Sequence, residues 1–215
     1  MIRRDALLLG FGLAVSSVIL GALPASALNR QLTPEETQLI KDISSYNSGI
    51  QTMVGHFIQI DQQGTRIQGT FYLQRPDKIR FRYNPPSRQE IISVGRGFYV
   101  VDRKDKTQYA YPQDKVPLRQ FLSDKIDLLA ANVVDVVSSD TYLTITLSDD
   151  TPAGTVQVAL VFDIASKDLS QWVLTEPNGQ QLTFSLFDVE KNVEIPKSFF
   201  YIDATYKSID PSTAH

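Results

Sequence analysis

The sequence predicts a mainly β domain of the α+β class, in which one long, largely antiparallel sheet is covered by short helices. From Met53 onward, apolar and polar residues alternate along most of the chain, which is the period of half-buried strands. Helical spacing of apolar residues occurs only in the segments 34–50 and 117–130. A sheet with many strands tends to curl, and its apolar face needs a cover, so we expect these two segments to supply it.

The N-terminal residues have the features of a secretory signal peptide. A short basic start is followed by an apolar stretch over residues 6–23, and Ala25-Ser26-Ala27 then fits the small-residue rule for signal peptidase. The alternative is a transmembrane anchor, because the apolar stretch is close to the length of a membrane span. Pro24 and the cleavage pattern favour the signal peptide. We therefore expect residues 1–27 to be removed and the mature protein to begin at Leu28.

Length and composition favour a single soluble domain. Residues 28–206 suit one domain, and we expect residues 207–215 to form a disordered tail. The formal net charge of −3 gives no nucleic-acid-binding footprint. The chain has no cysteine, the residue to which a bacterial lipoprotein attaches its lipid, so we expect a soluble protein that folds without disulfides.

The segment 34–50 is predicted to be an amphipathic helix. Thr33 suits the N-cap, Pro34 the first helical position, and Glu36 the third position of a capping box. Gly49 marks the expected end. The apolar residues that recur at helical spacing and form the stripe are Leu39, Ile43, Tyr46 and Ile50.

Strand signals lie on both sides of the second helical segment, about six before it and about four after it. The first begins at Met53. The others are expected at 69–73, 79–83, 90–94, 98–102, 108–111, 142–148, 156–163, 171–175, 181–188 and 199–202. Residues 84–87 are expected to form a turn, and Asn178-Gly179 is a strong hairpin signal.

Residues that would carry catalysis are scarce. The chain has no cysteine nucleophile, its only histidines are His56 and His215, and no Gly-x-Ser-x-Gly elbow occurs. The paired acids Asp149-Asp150 and Glu35-Glu36 are better explained by solvation and helix capping. No metal-ligand cluster or phosphate-binding loop is present in the sequence. We therefore expect a protein that is not an enzyme, with no catalytic residue, metal or cofactor.

The stretch from Gly55 to Pro112 resembles the periplasmic outer-membrane lipoprotein carrier family (LolA-type). The matching blocks are FIQ at 57–59, GTFYLQRPDKIRF at 69–81, YNPP at 83–86, QEIISVG at 89–95 and FYVVD at 98–102. The run Gly-x-Phe-x-Leu-x-Arg-Pro followed by Arg-Phe-x-Tyr is the specific part of this resemblance. The chain departs from the family near its end, where residues 199–203 replace the usual ending.

The resemblance implies an incomplete antiparallel β-barrel of about eleven strands with a lid of short helices. It also implies a monomer in the periplasm whose apolar interior takes up acyl chains. The implied partners are lipidated outer-membrane lipoproteins, an ABC-type lipoprotein release complex of the inner membrane, and an acceptor at the outer membrane. In the family, the arginine of the Arg-Pro motif holds the lid closed through hydrogen bonds to lid backbone, and here that arginine is Arg75.

The two-residue period assigns one face of the sheet to acyl-chain binding. The residues expected there are Phe57, Phe71, Leu73, Ile79, Phe81, Ile91, Phe98, Leu143, Ile145, Val158, Leu160, Phe184 and Leu186. Arg75 is in phase with Phe71 and Leu73, and an arginine on an apolar face needs hydrogen-bond partners. The alternative for Arg75 is an ordinary surface arginine at a strand end.

Other functions of the same fold remain open at this level. One is a sensor that binds a lipid or a misfolded-protein signal, and another is a carrier of glycolipids or small hydrophobic molecules. A lipid hydrolase is a more distant alternative, because the sequence offers neither a nucleophile nor a base for it.

Overall fold

The computed structural model describes residues 30–112, 119–151 and 154–209. The elements within these residues follow in chain order. They are α1 (Pro34–Ser48), β1 (Thr52–Asp61), β2 (Arg66–Gln74), β3 (Lys78–Tyr83), β4 (Gln89–Val94), β5 (Gly97–Asp102), β6 (Thr107–Pro112), α2 (Arg119–Leu122), β7 (Val133–Ser138), β8 (Tyr142–Thr151), β9 (Gly154–Asp163), β10 (Leu169–Thr175), β11 (Gln181–Lys191), a 3-10 helix (Lys197–Phe200) and β12 (Lys207–Ile209).

The strands form one twelve-stranded sheet in the order β12-β6-β5-β4-β3-β2-β1-β11-β10-β9-β8-β7. Neighbouring strands are antiparallel, apart from β12, which pairs parallel to β6. In the described part of the chain, β7 and β12 lie at opposite ends of this order, so the sheet is open. The predicted class, an incomplete antiparallel barrel covered by short helices, is confirmed, with twelve strands in place of about eleven.

The helix α1 begins and ends as the sequence predicts. Thr33 Oγ1 accepts a hydrogen bond from the Glu36 backbone N–H at 3.1 Å, and Glu36 Oε2 accepts one from the Thr33 N–H at 2.9 Å. This capping box satisfies two N–H groups that an α-helix leaves free at its start. Arg30 hydrogen-bonds to Glu36, and that bond is the main reason why the pKa of Glu36 falls to about 2.

The segment 117–130 contains less helix than predicted. Within its described part, only α2 (Arg119–Leu122) is helical, and residues 117 and 118 lie outside the described residues. Further along, Asp127 Oδ1 accepts hydrogen bonds from the Leu129 and Ala130 N–H groups at 3.2 and 3.1 Å. Side-chain acceptors that satisfy backbone donors in this way compete with a helix.

The prediction of a strand at 199–202 is wrong, because the chain forms a 3-10 helix at Lys197–Phe200 instead. Phe200 is buried, and the rings of Phe199 and Tyr72 lie 4.8 Å apart. Arg80 Nη1 donates to the Phe199 carbonyl at 2.6 Å. These contacts fasten the segment against β2 and β3, so tertiary packing outweighs the local β-propensity of its aromatic residues.

Two strands were not predicted. In β7 (Val133–Ser138) a register shift between Val133 and Asp135 interrupts the alternation, so a two-residue period does not reveal the strand. The strand β12 (Lys207–Ile209) begins inside the tail expected to be disordered. Its Lys207 N–H donates to the Lys106 carbonyl at 2.8 Å. Residues 210–215 of the expected tail lie outside the described residues.

Two glycines leave room for aromatic rings on the inner face, which we define as the face that carries Phe57, Phe71 and Phe81. Gly69 pairs with Phe57, and Gly55 pairs with Phe71. A Cβ on Gly69 would lie 2.6 Å from Phe57 Cε1, and one on Gly55 would lie 2.9 Å from Phe71 Cε1. Each ring therefore occupies the space that a side chain opposite it would need.

The outer face carries a buried carboxylate among three arginines. Glu90 is only 1% exposed. It forms ion pairs with Arg80, with Arg82 at 3.3 Å and with Arg103 at 3.0 Å. Because Arg80 also holds the Phe199 carbonyl, this cluster links β3, β4 and the C-terminal segment.

Glu90→Gln should lower the free energy of unfolding by about 1.5–3 kcal/mol, because the amide keeps the shape but not the charge that the arginines bind. Denaturant titration followed by circular dichroism measures the change. Glu194→Gln, at an exposed site, is the matched control and should leave the midpoint almost unchanged. Equal midpoints for the two variants would show that the arginine cluster contributes nothing to stability.

Candidate functional site

The inner face is a continuous apolar surface made mainly by the predicted residues. Those that are buried in one core cluster are Phe57, Phe71, Leu73, Ile79, Phe81, Leu143, Ile145, Val158, Leu160 and Phe184. Ile91 and Leu186 are partly buried and pack against this cluster. Strands from both halves of the chain thus contribute to one surface, joined through the pairing of Phe57 on β1 with Leu186 on β11.

Phe98 differs from the other predicted residues. It pairs with Ser93, whose neighbour along the face is Ile91, so it lies on the inner side of β5. It is only half-buried and does not belong to the core cluster. The reason is its position at the start of β5, directly after the exposed turn Gly95-Arg96, where solvent reaches the ring.

The sequence did not predict Trp172 as a residue of the acyl-chain site, although it lies at the centre of the inner face. Its ring stacks on Phe184 at 4.8 Å between centroids and lies 5.7 Å from Phe81. Residues 172–174 form an uninterrupted apolar run, which hides the two-residue period. The observed register places Trp172 opposite Phe184, whereas a two-residue turn at Asn178-Gly179 would have placed it opposite Ser185.

The two helical segments cover the inner face and fill most of the space above it. Ile40 and Ile43 of α1 are fully buried in the core cluster. From residues 119–131, the buried residues in the cluster are Phe121, Leu122, Ile126 and Leu128. Between this cover and the sheet there remains only a small cavity of about 10 Å³, bordered by Phe81, Phe121 and Trp172 among other apolar residues. We call α1 and residues 119–131 together the lid.

Arg75 joins both parts of the lid to the end of β2. It is 5% exposed, and its guanidinium donates from Nη1 to the Ile50 carbonyl at 2.6 Å and from Nη2 to the Phe121 carbonyl at 2.9 Å. The guanidinium carbon also lies 4.8 Å from the centre of the Phe121 ring, which is within cation–π range. Ile50 follows Gly49, the C-cap of α1, so one side chain connects the residue that leaves α1 with the segment 119–131.

The positive charge of Arg75 is poorly compensated. Burial lowers the pKa of its guanidinium to about 10, against a smaller opposing effect of Asp124. The side chain therefore stays cationic at neutral pH. Its Nε–H is buried and has no hydrogen-bond partner among the residues that the structure describes. A charge with two neutral acceptors and one unsatisfied donor is held in place by a modest net free energy.

The remaining candidates for chemistry lie away from this interior. His56 is exposed on the outer face, where its ring lies 5.5 Å from Phe187 and its Nδ1 lies 3.5 Å from Thr70 Oγ1. In residues 30–112, 119–151 and 154–209, no group of three or more histidine, aspartate or glutamate side chains is arranged to hold a metal ion. None of the helices in these ranges is long and apolar enough to cross a membrane.

An open antiparallel sheet whose apolar face is covered by short helical segments is the class of fold that this chain adopts. The model of the family described as outer membrane lipoprotein carrier protein LolA matches residues 48–203. The chain belongs to this family. The family and its curated relatives are described as carriers, a term for proteins that bind a cargo.

Individual relatives are distant. An outer-membrane lipoprotein carrier protein of Chromohalobacter salexigens is 25% identical over 198 residues, which cover 88% of this chain and 90% of that protein. One from Methylococcus capsulatus is 38% identical over 79 residues, only 34% of this chain and 38% of that protein. A crystal structure of a LolA superfamily protein from Nitrosomonas europaea superposes on 75% of this chain and 97% of that one, with 9% identity and a TM-score of 0.40.

Proposed function

We propose that this protein is a soluble periplasmic chaperone that encloses the acyl chains of lipoproteins and carries them from the inner to the outer membrane. The observation that supports the proposal is the lid itself. Its buried residues occupy the apolar surface that an acyl chain would need, and two Arg75 hydrogen bonds connect Ile50 and Phe121 to the end of β2. The residues of the inner face would line the acyl-chain site, and Arg75 would be the latch of the lid.

A replaceable lid suits a carrier because acyl chains bind apolar surfaces too strongly to be released unaided. Burial of each methylene contributes about 0.8 kcal/mol, so two or three chains would exceed the practical limit of non-covalent affinity, about −18 to −21 kcal/mol. When a ligand must displace a lid, its affinity is reduced by the free energy of lid closure. The closed lid also keeps the empty apolar face out of water.

The proposed route needs two further partners. An ABC-type lipoprotein release complex of the inner membrane would load the protein, and an acceptor at the outer membrane would receive the cargo. Lipidated outer-membrane lipoproteins would be the cargo, and the protein would act as a monomer without a cofactor or a catalytic step.

Purification of the protein from its native periplasm, followed by mass spectrometry of whatever is bound, tests the proposal. The expected result is a complex with acylated lipoproteins, enriched over a variant with a charge on the inner face. Glycolipids or free lipids in their place would favour the alternative carriers of the same fold. Recovery of cleaved lipid products would favour a hydrolase and would contradict the proposal.

A further inference from the structure

The C-terminal end of α1 is fastened by a cluster of three polar side chains that Arg75 does not contact. Tyr46 Oη donates to Asp168 Oδ1 at 3.0 Å. Lys191 Nζ donates to Asp168 Oδ2 at 2.7 Å and to Tyr46 Oη at 3.0 Å. We call these residues the Lys191–Asp168–Tyr46 cluster. It ties α1 to the last residue of β11 and to the turn between β9 and β10.

The surroundings of the cluster strengthen this attachment. Asn47 is 1% exposed, and its Nδ2 donates to the Lys167 carbonyl at 2.9 Å. Burial lowers the pKa of Lys191, but the hydrogen bonds to Asp168 and Tyr46 outweigh burial and raise the pKa overall. Lys191 is therefore cationic at neutral pH, and its Nζ also lies 5.5 Å from the Tyr46 ring.

The N-terminal end of α1 has a separate attachment. Arg30 donates from Nη2 both to Glu36 Oε1 at 2.6 Å and to the Val136 carbonyl of β7 at 2.9 Å. The helix is thus held to β7 at one end and to the β9–β10 turn and β11 at the other. Between these ends, Ile40 and Ile43 are completely buried.

The other part of the lid is held differently. Its polar attachments to the sheet lie in α2, where Phe121 accepts from Arg75, the Leu122 carbonyl accepts from the Asp77 N–H at 3.0 Å, and Arg119 pairs with Asp149 at 3.2 Å.

Beyond α2, this part of the lid rests on α1. The Ile126 and Leu128 N–H groups donate to the hydroxyls of Ser48 and Ser44 at 2.9 and 3.3 Å. Both acceptors belong to α1, so residues 126–128 are held by the helix and by apolar contacts.

We propose that the Lys191–Asp168–Tyr46 cluster makes α1 the fixed half of the lid, and that cargo enters by displacing residues 119–131. This rests on the proposed function. Asp168 and Lys191 are positioning residues, and so is the hydroxyl of Tyr46, whose ring packs against the core cluster. Acyl chains would then replace Phe121 and its buried neighbours, while Ile40 and Ile43 continue to cover their part of the inner face.

Pulsed electron paramagnetic resonance on pairs of spin labels measures which half moves. The chain has no cysteine, so Lys41→Cys on α1 or Lys125→Cys on the other half can each be combined with Asp140→Cys, all at exposed positions. The probe is a synthetic triacylated lipopeptide. Its uptake should shift the distance from position 125 to position 140 and leave the distance from position 41 unchanged.

The variant Lys191→Met tests whether the Lys191–Asp168–Tyr46 cluster itself holds α1 in place. In this variant, position 41 should also shift on loading, and lipopeptide affinity should rise about two- to fivefold, as expected for a partly exposed ion pair. Lys104→Met removes the same charge from an exposed turn and should behave like the wild type. Tyr46→Phe keeps the ring and removes the hydroxyl, so it should reproduce the movement in milder form if Lys191→Met does not fold.

Two outcomes would overturn the fixed role of α1. One is movement of position 41 on loading of the labelled protein that carries no substitution in the cluster. The other is a position 41 that stays immobile in both Lys191→Met and Tyr46→Phe. Neither result would affect the proposed carrier function, because both require uptake of the lipopeptide. Failure of the unchanged protein to take up lipopeptide would instead overturn the proposed function, and this inference with it.

Discussion

Arg75→Leu should bind acyl chains about a hundredfold more tightly than the wild type and release them correspondingly more slowly. The substitution removes the two hydrogen bonds that Arg75 donates to the Ile50 and Phe121 carbonyls. Hydrogen bonds to charged groups contribute about 1.5–3 kcal/mol each. The buried and poorly compensated charge of Arg75 offsets part of this, so a net loss of about 2.7 kcal/mol in closing free energy is expected, which corresponds to a hundredfold.

The measurement is transfer of a radiolabelled lipoprotein from the purified complex to acceptor membranes, together with an equilibrium binding titration. Arg75→Lys keeps the charge but cannot reach two carbonyls with a planar fork, so it should fall between the wild type and Arg75→Leu. Arg66→Leu, at the exposed first residue of β2, controls for loss of positive charge. Unchanged binding and release in Arg75→Leu would reduce Arg75 to an ordinary strand-end residue and remove the latch from the mechanism.

Leu160→Asp should abolish uptake of acyl chains. Leu160 is 1% exposed at the middle of the inner face, and a carboxylate there would have to lose its hydration to accept a hydrocarbon neighbour. Phe81→Asp should have the same effect from the opposite half of the sheet. Uptake can be followed by co-elution of protein with a fluorescent lipopeptide, and the fold by circular dichroism.

The control for this experiment is a substitution at the residue next to Leu160. Val161 lies on the outer face, between Thr144 and Gln171, so Val161→Asp adds the same charge to the same strand without entering the interior. If Leu160→Asp does not fold, Leu186→Asp tests the same face from a partly buried position. A folded Leu160→Asp that still takes up lipopeptide as well as Val161→Asp does would show that the acyl-chain site lies elsewhere.

Local signals determine much of this fold, and the sequence therefore predicts those parts well. The capping box at Thr33 and the alternation in β3 or β8 place hydrogen-bond partners and apolar faces within a few residues of one another. The thirteen residues assigned to the inner face follow from this alternation. With the exception of Phe98, they are buried in or packed against one core cluster.

The incorrect predictions have the opposite cause, because contacts with residues far away in the chain determine the structure of those segments. The 3-10 helix at Lys197–Phe200 depends on Arg80 and Tyr72, which are far away in the chain. The irregular course after α2 depends on hydroxyl acceptors of α1. A local sequence period does not predict such partners. It does not predict the Lys191–Asp168–Tyr46 cluster either, because the three residues come from separate parts of the chain.

The central claim is that acyl chains occupy the space between sheet and lid, and Trp172 allows a direct measurement of it. Trp172 is the single tryptophan of the chain, and it lies stacked on Phe184 in the inner face. Lipopeptides with brominated acyl chains quench tryptophan fluorescence only on close contact. The account predicts saturable quenching of Trp172 by the brominated lipopeptide, and none by the same peptide without acyl chains. Binding of the brominated lipopeptide with unquenched Trp172 emission would contradict it.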